Sequence, residues 1–301
     1  FMRRRMIGFI LSALLIVFGI GDLFVQGLNL GIDFRGGILL EVKTPAEADL
    51  SLMREQVGAL DLGEISLQEF GAPDVVLIRI QRQEGDEAAQ AAAIERATQA
   101  LGNEIEVRRQ EFVGPQVGQE LIQAGLMSIG FALLGILIYI WLRFEWQFAV
   151  AAVIALLHDS IATVALFSLT QMEFNLSTVA AVLMIAGYSI NDTVVVFDRM
   201  RENLRKYKRE DLVSIINRSL NETLTRTLLT SGTTLIALLA LWLFGGEVIR
   251  GFTIALIWGI VVGTYSSIFI AAPILIFLNL RPEQLDRVSG DPKDQAAIRS
   301  S

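Results

Sequence analysis

Six long apolar segments, separated by polar stretches, dominate the pattern of hydrophobic and polar residues along this chain. A helix needs about 20 mostly apolar residues to cross about 30 Å of hydrocarbon, and each segment is close to that length. The pattern therefore predicts six transmembrane helices. They cover residues 6–25, 121–142, 148–169, 174–197, 226–244 and 252–278. The last segment is long enough to tilt, or to kink at Pro273.

Between the first two apolar segments, the pattern changes to the short alternations of a small soluble domain. Strand patterns cover 36–44, 63–70, 75–81 and 104–113, helix patterns cover 46–60 and 86–101, and a turn pattern covers 71–74. The order strand, helix, strand, strand, helix, strand predicts a split βαβ, ferredoxin-like fold. The domain shows no nucleophile or metal cluster, so we expect a contact module without covalent chemistry.

The predicted fold is thus a polytopic α-helical membrane protein with one external α+β domain inserted between its first and second transmembrane helices. We expect the first helix within residues 1–28 and the external domain within 29–120. A five-helix bundle would cover 121–280, with a cytoplasmic amphipathic loop at 199–224, and a cytoplasmic tail would cover 281–301.

Composition supports a membrane protein and excludes several other classes. The chain is 53% hydrophobic and 19% charged, with a mean hydropathy of +0.52. Residues 26–120 hold 17 acidic against 8 basic side chains, which argues against a nucleic-acid partner. The absence of cysteine excludes disulfides and thiolate chemistry, and the single histidine cannot build a zinc site alone.

Basic residues predict the orientation of the chain in the membrane. Arg3, Arg4 and Arg5 precede the first segment, and seven Lys or Arg residues lie within 199–224, after the fourth segment. The connection at 170–174 has none, and the connection between the fifth and sixth segments has only Arg250. By the positive-inside bias, both termini are expected in the cytoplasm and the inserted domain outside.

Two further parts of the pattern need interpretation. The first segment also fits a cleaved signal peptide, because arginines precede it and Gly19 and Gly21 lie near its end, but five further segments would then stay unexplained. Residues 210–224 place apolar side chains at a spacing of four. This stripe predicts an amphipathic helix lying at the cytoplasmic interface.

Asp192 raises the main chemical question, because it lies inside the fourth apolar segment. A charge at the centre of a spanning helix costs about 2.5–3.5 kcal/mol on insertion scales, so this side chain should face protein or water. At about 1.5 Å per residue it lies about 8 Å inside the cytoplasmic boundary, near enough to exchange protons with that side. Ser189, Asn191 and Thr193 accompany it.

Arg226 begins the fifth segment and precedes a hydroxyl-rich turn that includes Thr230 and Ser231. Because consecutive spans run in opposite directions, Arg226 and Asp192 can lie at similar depth. An opposing cation favours the ionised carboxylate, and its loss lets desolvation favour the protonated form. The pair is therefore either a proton switch or a static ion pair that joins two helices.

His158 and Asp159 lie near the middle of the third segment. Neighbouring residues on a helix point about 100° apart, so these two need not share a partner. They fit either a proton relay or a pair satisfied by contacts with an adjacent helix.

Two glycine-bearing stretches bracket the inserted domain. GIDFRGG, at 31–37, contains Gly31, Asp33, Gly36 and Gly37, and FVGPQVGQEL lies at 112–121. From physical chemistry alone, turn formation explains both stretches, because glycine permits a positive φ and proline fixes a bend.

Taken with these two stretches, four further blocks resemble the SecD/SecF family of protein-export membrane proteins, within the RND superfamily. They are LHDS at 157–160, GYSINDTVVVFDRMREN at 187–203, TLTRTLLTSGTT at 223–234 and GTYSSIFIAAP at 263–273. The blocks occur in the family's order and cover nearly the whole chain, and the block at 187–203 is highly specific.

This resemblance implies a function and several partners. The family uses the proton gradient to help draw secreted polypeptides across the bacterial inner membrane, together with SecD, the Sec translocon channel and its accessory subunits. It implies protons as the coupling ion and no other cofactor. The family's proton-conducting aspartate falls on Asp192, its essential arginine on Arg226, and its glycine–aspartate motif on Gly31, Asp33, Gly36 and Gly37. A polar fourth helix in a six-helix bundle would leave Asp192 exposed, so we expect a SecD bundle to cover it.

Two other functions compete with this interpretation. A proton-coupled RND exporter of small solutes or lipids would need a roomy external domain, and about 85 residues are few for that. An intramembrane aspartyl protease would need Asp159 and Asp192 about 3 Å apart and sharing a proton. We expect these two residues to lie at different depths.

Overall fold

The structure is a computed structural model that describes residues 1–102, 104–278 and 280; the predicted tail at 281–301 lies outside them. The elements before the main bundle are α1 (Arg5–Val25), α2 (Ile32–Arg35), β1 (Gly37–Lys43), α3 (Leu50–Gly58), β2 (Ile65–Phe70), β3 (Ala72–Ile80), α4 (Glu87–Leu101) and β4 (Glu106–Val113). The elements of the main bundle are α5 (Pro115–Arg143), α6 (Trp146–Thr170), α7 (Leu176–Lys206), α8 (Leu212–Phe244), α9 (Arg250–Ser266) and α10 (Ala272–Phe277).

Six stretches of the described chain are long and apolar enough to cross a membrane, which confirms the predicted number of spans. α1, α5, α6, α7 and α8 each form one span, and α9 and α10 together form the sixth. About half of the apolar window of α6, α7 and the sixth span is buried within the chain, against 17% or less for α1, α5 and α8. The first group therefore forms the centre of the bundle, and the second group forms its outer surface.

The sixth span changes its winding at Ser267–Ala271, which form a π-helical segment. Pro273 follows two residues later and has no N–H to donate to the preceding turn, and its ring would collide with the carbonyl there. The wider π turn accommodates the proline, so the span is interrupted near the predicted kink site. It also presents Ser266 and Ser267 to the buried centre of the bundle, where both are fully buried.

The predicted interfacial helix at 210–224 is wrong in one respect. α7 continues to Lys206, and residues 212–224 form the first part of α8 rather than a separate helix. Ile216 and Leu220 of the apolar stripe are buried in a core that includes Phe197 of α7, and Leu212 and Leu224 pack against it. The stripe packs against a neighbouring helix, and the loop between α7 and α8 is correspondingly short.

The inserted domain is an antiparallel four-stranded sheet of order β2-β3-β1-β4 with two helices, which confirms the ferredoxin-like prediction. The β1–β3 register places Ile38 opposite Ile80 and Val42 opposite Val76, so alternate residues of both strands share a face. That face packs against α3 and α4 to form the domain core. Gly71 turns the chain with φ of 80°, and β3 already begins at Ala72, so the predicted turn at 71–74 is too long.

The opposite face of the sheet is turned towards the bundle. Leu39 and Leu77 are buried there with Ile32 of α2 in a small separate cluster. α2 also packs against the start of α5. The inserted domain is therefore held at the end of the bundle where α7 begins, which we call the docking end.

Candidate functional site

Asp192 is buried within this chain, with 3% of its surface exposed. Ser231 of α8 donates a hydrogen bond to its Oδ2 atom at 3.3 Å, and Ser231 also contacts the hydroxyl of Thr264 of α9 at 2.8 Å. The expectation that Asp192 needs a second protein to cover it is therefore wrong. Two helices of its own bundle cover the carboxylate and supply the hydroxyl groups beside it.

Arg226 is the exposed member of the predicted pair. It is close enough for its charge to act on Asp192, but within the described residues the two do not form a hydrogen-bonded ion pair. Thr230, one turn further along α8, donates its hydroxyl hydrogen to the backbone carbonyls of Arg226 and Thr227. The guanidinium therefore acts on the carboxylate at a distance.

The residues predicted to accompany Asp192 separate into different environments. Asn191 is exposed on the other side of α7. Thr193 is buried and lies 2.8 Å from the hydroxyl of Ser267, at the start of the π-helical segment. Ser189 is buried and donates to Asp159 rather than to Asp192.

A second buried carboxylate lies at the contact of α6, α7 and α9. The Oδ2 atom of Asp159 accepts hydrogen bonds from Ser189 at 2.6 Å and from Ser266 at 2.8 Å. Its Oδ1 atom lies 3.0 Å from Nδ1 of His158, so these neighbours contact each other despite their different directions on the helix. Asp159 and Asp192 have separate partners, which argues against the aspartyl protease hypothesis.

Close packing of α7 against α9 brings the polar groups around Asp159 together. Two glycines of α9 allow this packing, and the sequence analysis did not identify them. A Cβ atom on Gly259 would lie 2.3 Å from the side chain of Ile185, and one on Gly263 would lie 3.0 Å from Ser189. The two glycines are four residues apart, a spacing that allows close approach of membrane helices. This spacing is visible in the sequence and could have predicted the close contact between α7 and α9.

The glycine–aspartate motif connects the inserted domain to the first turn of α7. Oδ2 of Asp33 accepts the backbone N–H of Leu176 at 2.8 Å, one of the donors that a helix start leaves unpaired. The backbone N–H of Gly31 donates to Phe174 at 2.9 Å, and Phe174 donates back to Asn29 at 2.8 Å. We call these three hydrogen bonds the junction.

Two glycines of the motif have definite structural roles at this junction. Gly37 has φ of 122°, and a Cβ atom there would lie 2.8 Å from the carbonyl oxygen of Ile80. A Cβ atom on Gly31 would lie 2.5 Å from a carboxylate oxygen of Glu173. The motif therefore forms a turn and also lies close to the loop between α6 and α7. The explanation by turn formation alone did not predict this second role.

An ion pair between Arg79 of β3 and Glu173 closes the junction. The two side chains are 16% and 24% exposed. Burial raises the pKa of Glu173 above its ordinary value of 4.5, although the charge and hydrogen bond of Arg79 oppose the shift. In the sequence, the one sign of this pair is the single acidic residue in a short loop between two apolar segments.

The fold and the site together define a class: six-span membrane proteins with a buried carboxylate in the bundle and a ferredoxin-like domain inserted after the first span. The family model "Protein export membrane protein SecD/SecF, C-terminal" matches residues 93–281, and the "SecD/SecF GG Motif" model matches residues 23–44. The chain therefore belongs to the SecD/SecF family, as the sequence motifs predicted.

Similar proteins agree with this assignment. "Protein translocase subunit SecF" of Rickettsia bellii is 47% identical over 94% of this chain and 95% of its own length. The protein of the same name from Magnetococcus marinus is 46% identical over 93% of this chain and 91% of its own. These relatives extend over nearly the full chain, including the inserted domain.

Solved structures give the same result. The crystal structure of SecDF, a translocon-associated membrane protein from Thermus thermophilus, is 34% identical over 93% of this chain, with a TM-score of 0.84. A crystal structure of SecDF in a super-membrane-facing form is 33% identical over 99% of the chain, with a TM-score of 0.69. This chain spans 38% and 40% of the length of those two proteins.

Proposed function

We propose that this chain acts with SecD in the bacterial inner membrane, where it uses the proton gradient to assist export of secreted polypeptides. Protons are the coupling ion, and the chain performs no covalent chemistry. Both termini lie in the cytoplasm, and the inserted domain lies outside, beside the Sec translocon channel and the emerging polypeptide. The names of its relatives and the family models support the link to export.

The observation that carries this proposal is the position of α7 between the two sites. One helix bears Asp192 near its middle and, through the backbone N–H of its first residue, Leu176, donates a hydrogen bond to the carboxylate of Asp33. At about 1.5 Å per residue, the two points are about 24 Å apart along a rigid element. A shift of α7 that follows protonation of Asp192 would therefore reach the inserted domain directly.

The proton gradient supplies enough free energy for such a movement. One elementary charge crossing 100 mV gains about 2.3 kcal/mol. Since 1.4 kcal/mol corresponds to a factor of ten, one proton can change the ratio of two domain positions by about 50-fold. A few protons per cycle would suffice to move the domain between two docked positions.

Arg226 indicates where a SecD bundle would bind. Arg226 begins the apolar part of α8, and an exposed arginine there is costly in lipid. Large apolar side chains that follow it along α8, such as Leu228, Leu229 and Ile236, are exposed as well. In our proposal a SecD bundle covers this surface and holds Arg226 away from lipid and near Asp192.

Export from reconstituted vesicles tests the proposal. Vesicles that contain the Sec channel, SecD and this chain would release a secreted substrate with and without an imposed proton gradient. Asp192→Asn should reduce release to the rate without a gradient. Asp198→Asn is the matched control, because Asp198 is an exposed aspartate of the same helix that pairs with Arg143. Equal gradient-dependent release from the two variants would refute the role of Asp192.

A cavity keeps the exporter of small solutes or lipids as a second candidate. It has a volume of about 410 Å³ and lies between the inserted domain and the bundle, lined in part by Phe70, Arg109 and Phe252. This volume is within the range of small-molecule sites. Proton flux that depends on a small solute, measured on the purified chain without SecD, would favour this function.

A further inference from the structure

The buried His158–Asp159 pair is a second group of ionisable side chains that the proposed function does not use. Asp159 is fully buried and His158 is 7% exposed. Nε2 of His158 is buried and has no hydrogen-bond partner in the described part of the chain. A buried polar atom without a hydrogen-bond partner costs free energy, so this nitrogen calls for a functional explanation.

The hydrogen bonds around Asp159 determine which nitrogen of the imidazole can take a proton. Two hydroxyl groups donate hydrogen bonds to Oδ2, so this oxygen acts as an acceptor. When Asp159 is ionised it only accepts hydrogen bonds, so in that state Nδ1 of His158 is the donor to Oδ1. A neutral imidazole with its hydrogen on Nδ1 has a free electron pair on Nε2. The carboxylate thus orients the ring as a base.

Charge balance favours a proton on that nitrogen. With a neutral imidazole, the pair has one buried negative charge, which is costly in a medium of low dielectric constant. Protonation at Nε2 forms an imidazolium beside the carboxylate and makes the pair neutral. The N–H bond is the only bond that forms, and the O–H bond of the hydronium ion that delivers the proton is the only bond that breaks.

The surroundings contain few groups that could replace the imidazole in this role. Tyr265 of α9 lies beside the ring, with 6.4 Å between ring centroids, and its hydroxyl donates to Gly8 of α1. α7 brings Asp192, one turn beyond Ser189. α1 places Asp22 at the docking end of α6, beside Ser168, and α5 has its charges, Glu120 and Arg143, towards its two ends.

We propose that His158 and Asp159 form a second proton-binding site in the bundle, in which Nε2 of His158 takes up and releases the proton and Asp159 positions the ring. This inference rests on the proposed function, since it adds a proton to the same cycle. Asp159 contacts α7 through Ser189 and α9 through Ser266, while Asp192, itself on α7, contacts Ser231 of α8, which in turn contacts Thr264 of α9. Protonation at either site would alter how these helices pack.

The single histidine makes a direct spectroscopic test possible. The full chain, labelled with ¹⁵N-histidine and placed in lipid nanodiscs, gives one pair of imidazole signals. We expect Nδ1 to carry a proton throughout and Nε2 to change from unprotonated to protonated as the pH is lowered from about 9 to about 5. Asp159→Asn should reduce the proton affinity of Nε2 at least tenfold, a change of about one pH unit in the midpoint.

Three spectroscopic results would overturn this inference. They are an Nε2 atom that stays unprotonated across this range, a hydrogen on Nε2 instead of Nδ1 at high pH, and an unchanged midpoint in Asp159→Asn. If Asp159→Asn does not fold, His158→Asn provides the second variant. Its amide nitrogen replaces Nδ1 as donor to Asp159, but the nitrogen that takes the proton is removed.

Export separates this inference from the proposed function. His158→Asn should lower gradient-dependent release at least fivefold in the vesicles described above, as Asp192→Asn does. Loss of release in Asp192→Asn with full release in His158→Asn would overturn the second site and leave the proposed function standing. Full gradient-dependent release in Asp192→Asn would refute the proposed function, whatever the histidine spectra show.

Discussion

Replacing Arg79 by alanine tests whether the ion pair with Glu173 holds the inserted domain on the bundle. An exposed ion pair contributes up to about 1 kcal/mol, whereas removing one partner of a buried pair costs about 3–5 kcal/mol. The two side chains are 16% and 24% exposed, so this pair lies between these cases. We expect Arg79→Ala to weaken docking by about 2 kcal/mol, a factor of about 30 in the equilibrium between docked and released domain.

Hydrogen exchange at the junction measures this equilibrium. The backbone N–H groups of Gly31, Phe174 and Leu176 are protected only while the domain is docked, because each bonds across the junction or to Asp33. Peptides that contain them should exchange about 30-fold faster in Arg79→Ala, while the strands of the domain should remain protected.

Lys43→Ala is the matched control. Lys43 also belongs to the inserted domain and pairs with Asp74 at 3.3 Å, away from the bundle. It should leave exchange at the junction unchanged. Unchanged exchange in Arg79→Ala, or an equal increase in Lys43→Ala, would refute the idea that this ion pair fixes the domain.

Two further predictions concern pH and helix packing. Because burial raises the pKa of Glu173 above 4.5, the docked domain binds this proton more tightly than the released domain does, so docking should be strongest below about pH 4.5 and weaken as the pH rises through the raised value. Hydrogen exchange at the junction, corrected for its intrinsic pH dependence, should show this trend in the wild type and lose it in Glu173→Gln. A flat profile in the wild type would contradict the prediction. Gly259→Ala should destabilise the bundle by about 1–3 kcal/mol, because the new methyl group would collide with Ile185. Thermal unfolding in detergent measures this change, and Gly130→Ala is the control, since a Cβ atom on Gly130 meets open space. Equal unfolding temperatures for the two variants would count against the close contact.

Local patterns predicted most of the architecture. Apolar length defines a span, and periods of two and 3.6 residues separate strands from helices, so both the six spans and the ferredoxin-like order could be predicted. The stripe at 212–224 shows the limit of such reasoning. A row of apolar residues has the same spacing whether it faces lipid or another helix, and here Ile216 and Leu220 face α7.

The candidate site was predicted less completely, because its contacts join residues far apart in the chain. The cost of an aspartate in an apolar helix singled out Asp192. Its cover depends on Ser231 and Thr264, which lie on two other helices and meet only in the fold. The pairing of Arg79 with Glu173 likewise requires a strand and a loop that are 94 residues apart.

Proton flux through the assembled complex tests the central role of Asp192. Vesicles that contain this chain with SecD and the Sec channel, and a pH-sensitive dye inside, would report proton entry during export of a substrate. We predict that Asp192→Asn abolishes the export-dependent flux and that Asp198→Asn retains it. Export-dependent flux of equal size in the two variants would contradict the proposal that Asp192 carries the proton.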